Sequence, residues 1–199
     1  MSTKLHKAKL RSHFKSERDK LSATDLKNRS HSITENFIKN LLPKISPKSS
    51  PKIFSLYIDS GNEVQTEFLA DYFIAHGIKF AYPKVRALKQ ELEFIMASKD
   101  QKFVNCKFFP KIIEPRGGEK ILPDVLILPL LAFDADLARL GMGGGFYDRT
   151  IEFLKKQNPQ IITVGLAFDI QRSLEPLAIE NTDQKLDFIV TEKNIFSRS

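Results

Sequence analysis

A glycine-rich segment carries the strongest chemical signal in the sequence. It runs from Arg139 to Arg149 and reads RLGMGGGFYDR. Glycines let backbone N–H groups approach a phosphate without an intervening Cβ, and the start of a following helix adds partial positive charge at the same place. Arg139 can add a charged clamp, and Asp148 could hold a Mg²⁺ ion that bridges phosphate oxygens. The segment therefore predicts a phosphate-binding loop.

Two better-known phosphate loops do not match this segment. The Walker pattern requires Gly-Lys-Ser or Gly-Lys-Thr, and the dinucleotide pattern G-x-G-x-x-G requires a glycine where Phe146 stands. A flexible loop whose glycines only allow tight packing is the alternative, and an isolated glycine cluster would favour it. Here Arg139 before the glycines, and Tyr147 and Asp148 after them, favour phosphate binding.

Positive charge is concentrated in the first quarter of the chain. The net charge is +7, and residues 1–52 hold 13 Lys and Arg residues against four Asp and Glu residues. Such a segment can contact nucleic acid, an acidic lipid surface or a small polyanion such as a nucleotide, and charge alone does not choose between them. For Lys7 and Arg11 taken alone, a solvated helix face is the ordinary interpretation.

Composition excludes several classes of protein. Cys106 is the only cysteine, so no intramolecular disulfide can form and a reducing compartment is favoured. The longest apolar run, Val125–Phe133, contains Pro129 and is far shorter than the ~20 residues of a membrane-spanning helix. The first residues are hydrophilic and lack the apolar stretch of a secretory signal. We expect a cytoplasmic protein without a membrane segment.

Hydrophobic periodicity predicts helices that alternate with strands. Helical spacing is found at 4–20, from Ser22 to Leu41 with Pro43 as the end, and at 66–76 and 146–157. Strands are predicted at 53–58, 78–82, 92–97, 125–131, 161–166 and, as the last strand, 186–190. This order predicts an α/β fold: a single-domain, three-layer αβα sandwich with a mostly parallel central sheet. Its parts are basic N-terminal helices at 1–42, a Pro- and Ser-rich loop at 43–52 and an α/β core at 53–199, in which 98–122 shows no clear pattern.

The residues around the glycines resemble the signature of 5-formyltetrahydrofolate cyclo-ligases, also called 5,10-methenyltetrahydrofolate synthetases. The signature residues are Phe133-Asp134, then Arg139-Leu140-Gly141, then Gly143 to Asp148. The similarity extends over nearly the whole chain, through Lys7 and Arg11, Asn62-Glu63-Val64, Tyr82-Pro83-Lys84-Val85, Glu114-Pro115, and Asp183 with Leu186-Asp187. The resemblance implies an ATP-dependent ligase that converts 5-formyltetrahydrofolate to 5,10-methenyltetrahydrofolate, ADP and phosphate.

The family resemblance also implies a role for each of these residues. ATP would be bound by the basic pair and the glycine-rich segment: Lys7, Arg11, Arg139, Leu140, Gly141, Met142, Gly143, Gly144, Gly145, Phe146 and Tyr147. Folate would be bound by Glu63, which recognises the pterin, by Ile58, and by Met142, Gly143, Gly144, Gly145 and Phe146. Asp148 and Asp183 would bind Mg²⁺, and Arg139 would act electrostatically in a reaction without a covalent nucleophile. Lys84 would contact a phosphate or the glutamate tail of a polyglutamylated folate.

Simpler interpretations stay open for three of these residues. On sequence alone Glu63 is a helix N-terminal acid, Asp183 is a turn residue, and Lys84 is equally well a surface lysine. Leu137, Met142 and Phe146 depart from the family pattern, and Leu137, at a usual glycine position, suggests a turn of different shape.

Two rival functions use the same features. A nucleic-acid-binding module would use the basic N-terminal helices but leaves the glycines and Asp183 unexplained. A small-molecule kinase could use the same loop with another substrate. We expect a monomer that binds ATP and folate, with no nucleic-acid or membrane partner.

Overall fold

The computed structural model describes residues 3–198. Its helices are α1 (Thr3–Asp19), α2 (Ala23–Asn36), α3 (Leu42–Ile45), α4 (Glu67–Ala75) and α5 (Phe146–Gln157), with a π-helical turn at Phe37–Leu41 and a 3-10 turn at Asp169–Gln171. The strands are β1 (Phe54–Ser55), β2 (Phe80–Val85), β3 (Leu92–Met96), β4 (Phe103–Asn105), β5 (Ile113–Pro115), β6 (Val125–Pro129), β7 (Ala132–Phe133), β8 (Arg139–Leu140), β9 (Ile162–Leu166), β10 (Phe188–Val190) and β11 (Ile195–Ser197).

A seven-stranded sheet in the order β11-β10-β9-β6-β1-β2-β3 forms the centre of the fold. The five inner strands are parallel to one another. The edge strands β11 and β3 are antiparallel to the strands beside them, β10 and β2. Two small antiparallel sheets, β4-β5 and β7-β8, lie outside it. The prediction of a mostly parallel α/β sheet in one domain is confirmed.

Helices cover both faces of this sheet. Along β6, Val125 and Ile127 belong to a hydrophobic cluster shared with α2 and α4, whereas Leu126 and Leu128 belong to a second cluster shared with α5. Successive strand residues point to opposite faces, so β6 is buried on both sides. This explains why its sequence is continuously apolar rather than alternating, and it confirms the three layers.

The predicted face of the second helix is buried as its spacing requires. Leu26, Ser30, Ile33, Phe37 and Leu41 are each at most 8% exposed. The helix begins where the sequence indicated, because the Ser22 side chain accepts a hydrogen bond from the backbone N–H of Asp25.

Three details of the sequence prediction were wrong. Pro43 does not end the helix: it lies in the first turn of α3, which runs to Ile45, where a missing N–H costs no helical hydrogen bond. The first strand is only Phe54–Ser55, and the strand ending at Val190 is followed by β11. Residues 98–122, without a clear pattern, contain the ribbon β4-β5.

Within residues 3–198, no helix is long and apolar enough to cross a membrane.

Candidate functional site: a glycine-rich loop beside a basic helix

The glycine-rich loop lies between β8 and the start of α5. Gly143 has a φ of +95° and Gly145 a φ of +64°, the left-handed region that glycine enters without steric cost. A Cβ on Gly145 would lie 2.7 Å from Nη1 of Arg149. Gly145 is also the N-cap of α5, and no side chain caps this helix. Its first backbone N–H groups therefore lack a capping acceptor and form a suitable place for an anion.

A tight turn precedes the loop and holds β7 against β8. Asp134 Oδ1 accepts hydrogen bonds from the backbone N–H groups of Asp136 and Ala138, and its Oδ2 accepts one from Leu177. Leu137, in the same turn, has a φ of +59° and a buried side chain. This position takes the backbone conformation that glycine adopts most easily, and leucine occupies it while packing into the core.

Arg139 and Asp148 fix the two ends of the loop to a distant part of the chain. Nη2 of Arg139 lies 2.9 Å from Oδ1 of Asp148, which also accepts a hydrogen bond from the backbone N–H of Gln184 at 3.0 Å. Nη1 of Arg139 donates to the carbonyl oxygen of Gln184. These contacts form a closed ring that joins β8, α5 and the segment before β10.

Helix α1 packs against this ring with its basic residues. Nζ of Lys7, a residue only 7% exposed, lies 2.6 Å from Oδ2 of Asp183 and 3.4 Å from Oε2 of Glu180. Nε of Arg11 donates to the carbonyl oxygen of Gly141 at 2.9 Å, and a Cβ on Gly143 would lie 3.3 Å from Cζ of Arg11. The fold thus brings Arg11 to the glycine-rich loop and Lys7 to the acidic residues Glu180 and Asp183, and the interpretation of an ordinary solvated helix face is wrong for both.

Asp148 and Asp183 are two carboxylates connected through the backbone of Gln184. Asp148 binds the backbone N–H of Gln184, the residue next to Asp183. In the hydrogen bonds and ion pairs above, each carboxylate uses one oxygen, Oδ1 of Asp148 and Oδ2 of Asp183. Residues 3–198 contain no cluster of three or more His, Cys, Asp or Glu side chains that could hold a metal. Two carboxylates suit Mg²⁺ when phosphate oxygens and water complete its coordination, so this donor set fits the ion as a partner of a bound nucleotide.

Glu63 lies in the connection between β1 and α4. Its Oε2 accepts a hydrogen bond from the backbone N–H of Ser60 at 2.9 Å, and it precedes α4 rather than capping it. The interpretation of a helix N-terminal acid is therefore wrong. Burial raises the pKa of Glu63, and the pKa of Tyr147 is raised by burial and then by the negative charge of Glu63. The carboxylate of Glu63 therefore lies close enough to Tyr147, in the glycine-rich segment, to affect it electrostatically.

The remaining predicted residues differ in what they can offer. Leu140 is buried in the core, so its backbone is the part available to a ligand, whereas Met142 is 65% exposed. Ile58 is half-buried beside Tyr57, whose hydroxyl donates to the carbonyl oxygen of Val64. Nζ of Lys84 donates to the carbonyl oxygen of Arg116 at 2.7 Å, so this lysine ties β2 to the segment after β5.

Sequence reasoning missed Arg18 and Phe109. Arg18 is buried at the end of α1, and the ring of Phe109 meets that of Phe146 edge to face, with centroids 5.7 Å apart. The sequence does contain a pattern that indicates Arg18. The spacing is four, three and four residues through Lys7, Arg11, Phe14 and Arg18, which places all of them on one helix face. Phe109 lies in the stretch 98–122, where the sequence shows no such pattern.

Known proteins are similar to this chain in both sequence and fold. A model of the 5-formyltetrahydrofolate cyclo-ligase family matches residues 3–192. The chain is 31% identical over 183 residues to a 5-formyltetrahydrofolate cyclo-ligase of Haemophilus influenzae, covering 89% of this chain and 92% of that one. The solved structure of 5,10-methenyltetrahydrofolate synthetase from Aquifex aeolicus is similar with a TM-score of 0.78 at 27% identity, covering 96% and 92%. That of a 5,10-methenyltetrahydrofolate synthetase from Mycoplasma pneumoniae has the same fold, with a TM-score of 0.72 at 24% identity, covering 94% and 98%.

We predict that Glu63→Gln stabilises the protein more as pH rises. Because burial raises the pKa of Glu63 above the ordinary value of 4.5, the folded state binds this proton more tightly than the unfolded chain does. The favourable contribution is complete below pH 4.5 and is lost as pH rises through the folded pKa. Urea unfolding at pH 4, 6 and 8 should show the stability difference between variant and wild type growing with pH.

Glu152 provides a control of opposite sign. The hydrogen bond from Lys156 lowers the pKa of this exposed carboxyl, so Glu152→Gln should lose stability relative to wild type as pH rises. A stability difference for Glu63→Gln that does not change with pH would contradict the burial of a charged Glu63.

Proposed function

Since this chain belongs to the 5-formyltetrahydrofolate cyclo-ligase family, we propose that it closes 5-formyltetrahydrofolate to 5,10-methenyltetrahydrofolate in a reaction that converts ATP to ADP and phosphate. The observation that carries the proposal is the position of α1, whose Arg11 contacts the glycine-rich loop and whose Lys7 pairs with Asp183, together with Glu63 near Tyr147 of the same segment. This arrangement supports a polyanion site beside a polar heterocycle site.

The nucleotide phosphates would bind between α1 and the start of α5. The uncapped N–H groups of α5, the glycines and the side chains of Lys7 and Arg11 supply donors and positive charge. Arg139 has protein partners on both terminal nitrogens. We propose that it acts mainly by positioning Asp148 and the backbone of Gln184, with its charge held near the phosphates.

Asp148 and Asp183 would hold Mg²⁺ through the oxygens that the ring and the Lys7 ion pair leave available. The ion would neutralise charge on the phosphate oxygens when it is bound. The basic side chains around both carboxylates disfavour a lone cation, so we propose that the metal enters together with ATP.

Folate would bind on the Glu63 side of the loop. A carboxylate there can accept hydrogen bonds from the ring N–H and amino group of the pterin, while Ile58 and Met142 to Phe146 line the same space. Lys84 lies on β2 and is proposed to contact the glutamate tail of the folate. With both ligands bound in this way, the formyl group of the folate would lie beside the γ-phosphoryl group of ATP.

The chemistry requires alignment rather than a protein nucleophile. The formyl oxygen attacks the γ-phosphorus, and the bond between this phosphorus and the ADP oxygen breaks. N10 then attacks the formyl carbon and loses its proton, and the carbon–oxygen bond breaks to release phosphate. The chain contributes by orienting the two ligands and by neutralising charge, which is the usual protein contribution to phosphoryl transfer.

The remaining proposals concern the cellular compartment, the oligomeric state and the partners of the basic helix. The single cysteine, Cys106, is buried and free, which suits a reducing cytoplasm. We propose a monomer, and we propose that the basic residues of α1 serve ATP rather than nucleic acid or a membrane.

We predict that turnover requires ATP, Mg²⁺ and 5-formyltetrahydrofolate together. Absorbance of the methenyl product should rise only when all three are present, and ADP should appear in equal amount. Full-rate cyclisation without nucleotide would contradict the proposal. ADP formation with another small-molecule acceptor but not with this folate would favour a kinase instead.

We predict that Asp148→Asn lowers turnover at least ~100-fold, the scale of losing one electrostatic group at a reacting centre, and raises the Mg²⁺ concentration needed for half-maximal rate. Asparagine keeps an acceptor for the Gln184 N–H but loses the charge that Mg²⁺ and Arg139 prefer. Glu152→Gln, on the same helix and paired with Lys156, is the matched control and should leave the rate unchanged. Near-normal turnover of Asp148→Asn at low Mg²⁺ would refute the metal assignment.

A further inference from the structure

Arg18 is a buried arginine that lacks a partner within the described residues. It lies in the last turn of α1 and is 5% exposed. Its Nε has no hydrogen-bond partner there, and the ion pairs of residues 3–198 do not include it. A buried charge without a partner costs several kcal/mol, so its retention in this position calls for a ligand.

The surroundings of Arg18 indicate which ligand. Nδ2 of Asn62, the residue before Glu63, donates to Oδ1 of Asp19, the residue after Arg18, at 3.2 Å, so the end of α1 lies beside the Glu63 segment. The positive charge of Arg18 accordingly opposes the effect of burial on the pKa of both Glu63 and Tyr57. Arg18 and Glu63 nevertheless form no ion pair. The two opposite charges therefore face the same space without neutralising each other.

The nucleotide is not the ligand that this position fits. Arg18 stands seven residues after Arg11 on the same helix face, which corresponds to about 10 Å along the helix axis. Arg11 contacts the glycine-rich loop, whereas Arg18 lies beside Glu63. One face of α1 thus presents positive charge to two places, the phosphate end and the Glu63 end.

We propose that Arg18 is a substrate-binding residue that donates an N–H to the 4-oxo oxygen of the pterin while Glu63 accepts from the neighbouring N–H and amino groups. This inference rests on the proposed function. The edge of a pterin presents one acceptor directly beside two donors, so a carboxylate alone leaves the oxygen unsatisfied. A guanidinium is always charged and holds its donors in a rigid fork, which suits this second half of the recognition.

The test compares 5-formyltetrahydrofolate with its 4-amino-4-deoxy counterpart, which replaces the 4-oxo acceptor by an amino donor and leaves N3 without its proton. Wild type should bind the 4-oxo compound at least ~10-fold more tightly, because a hydrogen bond from a charged donor contributes about 1.5–3 kcal/mol, and the part of this preference that belongs to Arg18 is the part that Arg18→Met loses. Arg18→Met should lose at least ~10-fold in affinity for the 4-oxo compound, bind the 4-amino compound as well as wild type or better, and keep the KM for ATP. Arg18→Lys should show an intermediate preference.

The controls separate a binding role from a structural one. Arg29→Met removes an arginine of α2 that is paired with Glu192, and it should leave the preference unchanged. Thermal unfolding reports whether Arg18→Met is folded, and Arg18→Lys carries the test if it is not. An equal loss for both compounds, or an unchanged 4-oxo preference, would overturn the role of Arg18. Failure of wild type to bind 5-formyltetrahydrofolate would instead contradict the proposed function, and with it this inference.

Discussion

The ion pair between Lys7 and Asp183 is the contact on which the position of the nucleotide end of the proposed site depends. It joins the first helix to a segment 176 residues further along the chain, with 2.6 Å between Nζ and Oδ2. The ring of Arg139, Asp148 and Gln184 continues the same connection to the glycine-rich loop. Phe14 of α1 packs with Ala138 and Leu140, so apolar contacts hold the helix on this surface while the polar contacts set where its basic side chains lie.

Charge buried in this way is costly to a fold. Removing Lys7 or Arg139 from water costs desolvation energy that a single ion pair need not recover, so such pairs are weak evidence for stability. Their value here is positional. They hold cations beside a loop whose backbone N–H groups already favour an anion, and Arg18 extends the same helix face towards Glu63. We interpret the retained charges as the requirement for binding two anionic ligands next to each other.

The sequence predicted those features that depend on local patterns. The apolar run of β6, the face of α2 and the start of α5 all follow from spacing and glycine content, and each lies close to its expected place. Pro43 was misjudged because a π-helical turn at Phe37–Leu41, which has no sequence signature, leads into α3 and leaves the proline in the first turn of that helix, where it is tolerated. The short ribbon at 103–115 was missed because its apolar residues are largely exposed and so show no burial period.

The sequence named the residues proposed for the site but not the contacts between them. Family resemblance named Lys7, Arg11, Asp148 and Asp183, whereas their pairing depends on contacts between residues far apart in sequence. The roles of Arg139 and Arg18 needed coordinates for the same reason: one is defined by its partners on Asp148 and Gln184, the other by having none within the described chain.

The most direct test of the central claim is the selective loss of nucleotide binding when the basic face of α1 is removed. Lys7→Met with Arg11→Met should weaken ATP binding at least ~100-fold by calorimetry, the sum of two charged hydrogen bonds, and change affinity for 5-formyltetrahydrofolate less than ~3-fold. Lys9→Met with Lys15→Met removes the same charge from exposed positions of α1 and should leave both affinities within that limit. Equal losses for ATP and folate in the first variant would show that α1 only supports the fold, and would contradict the account.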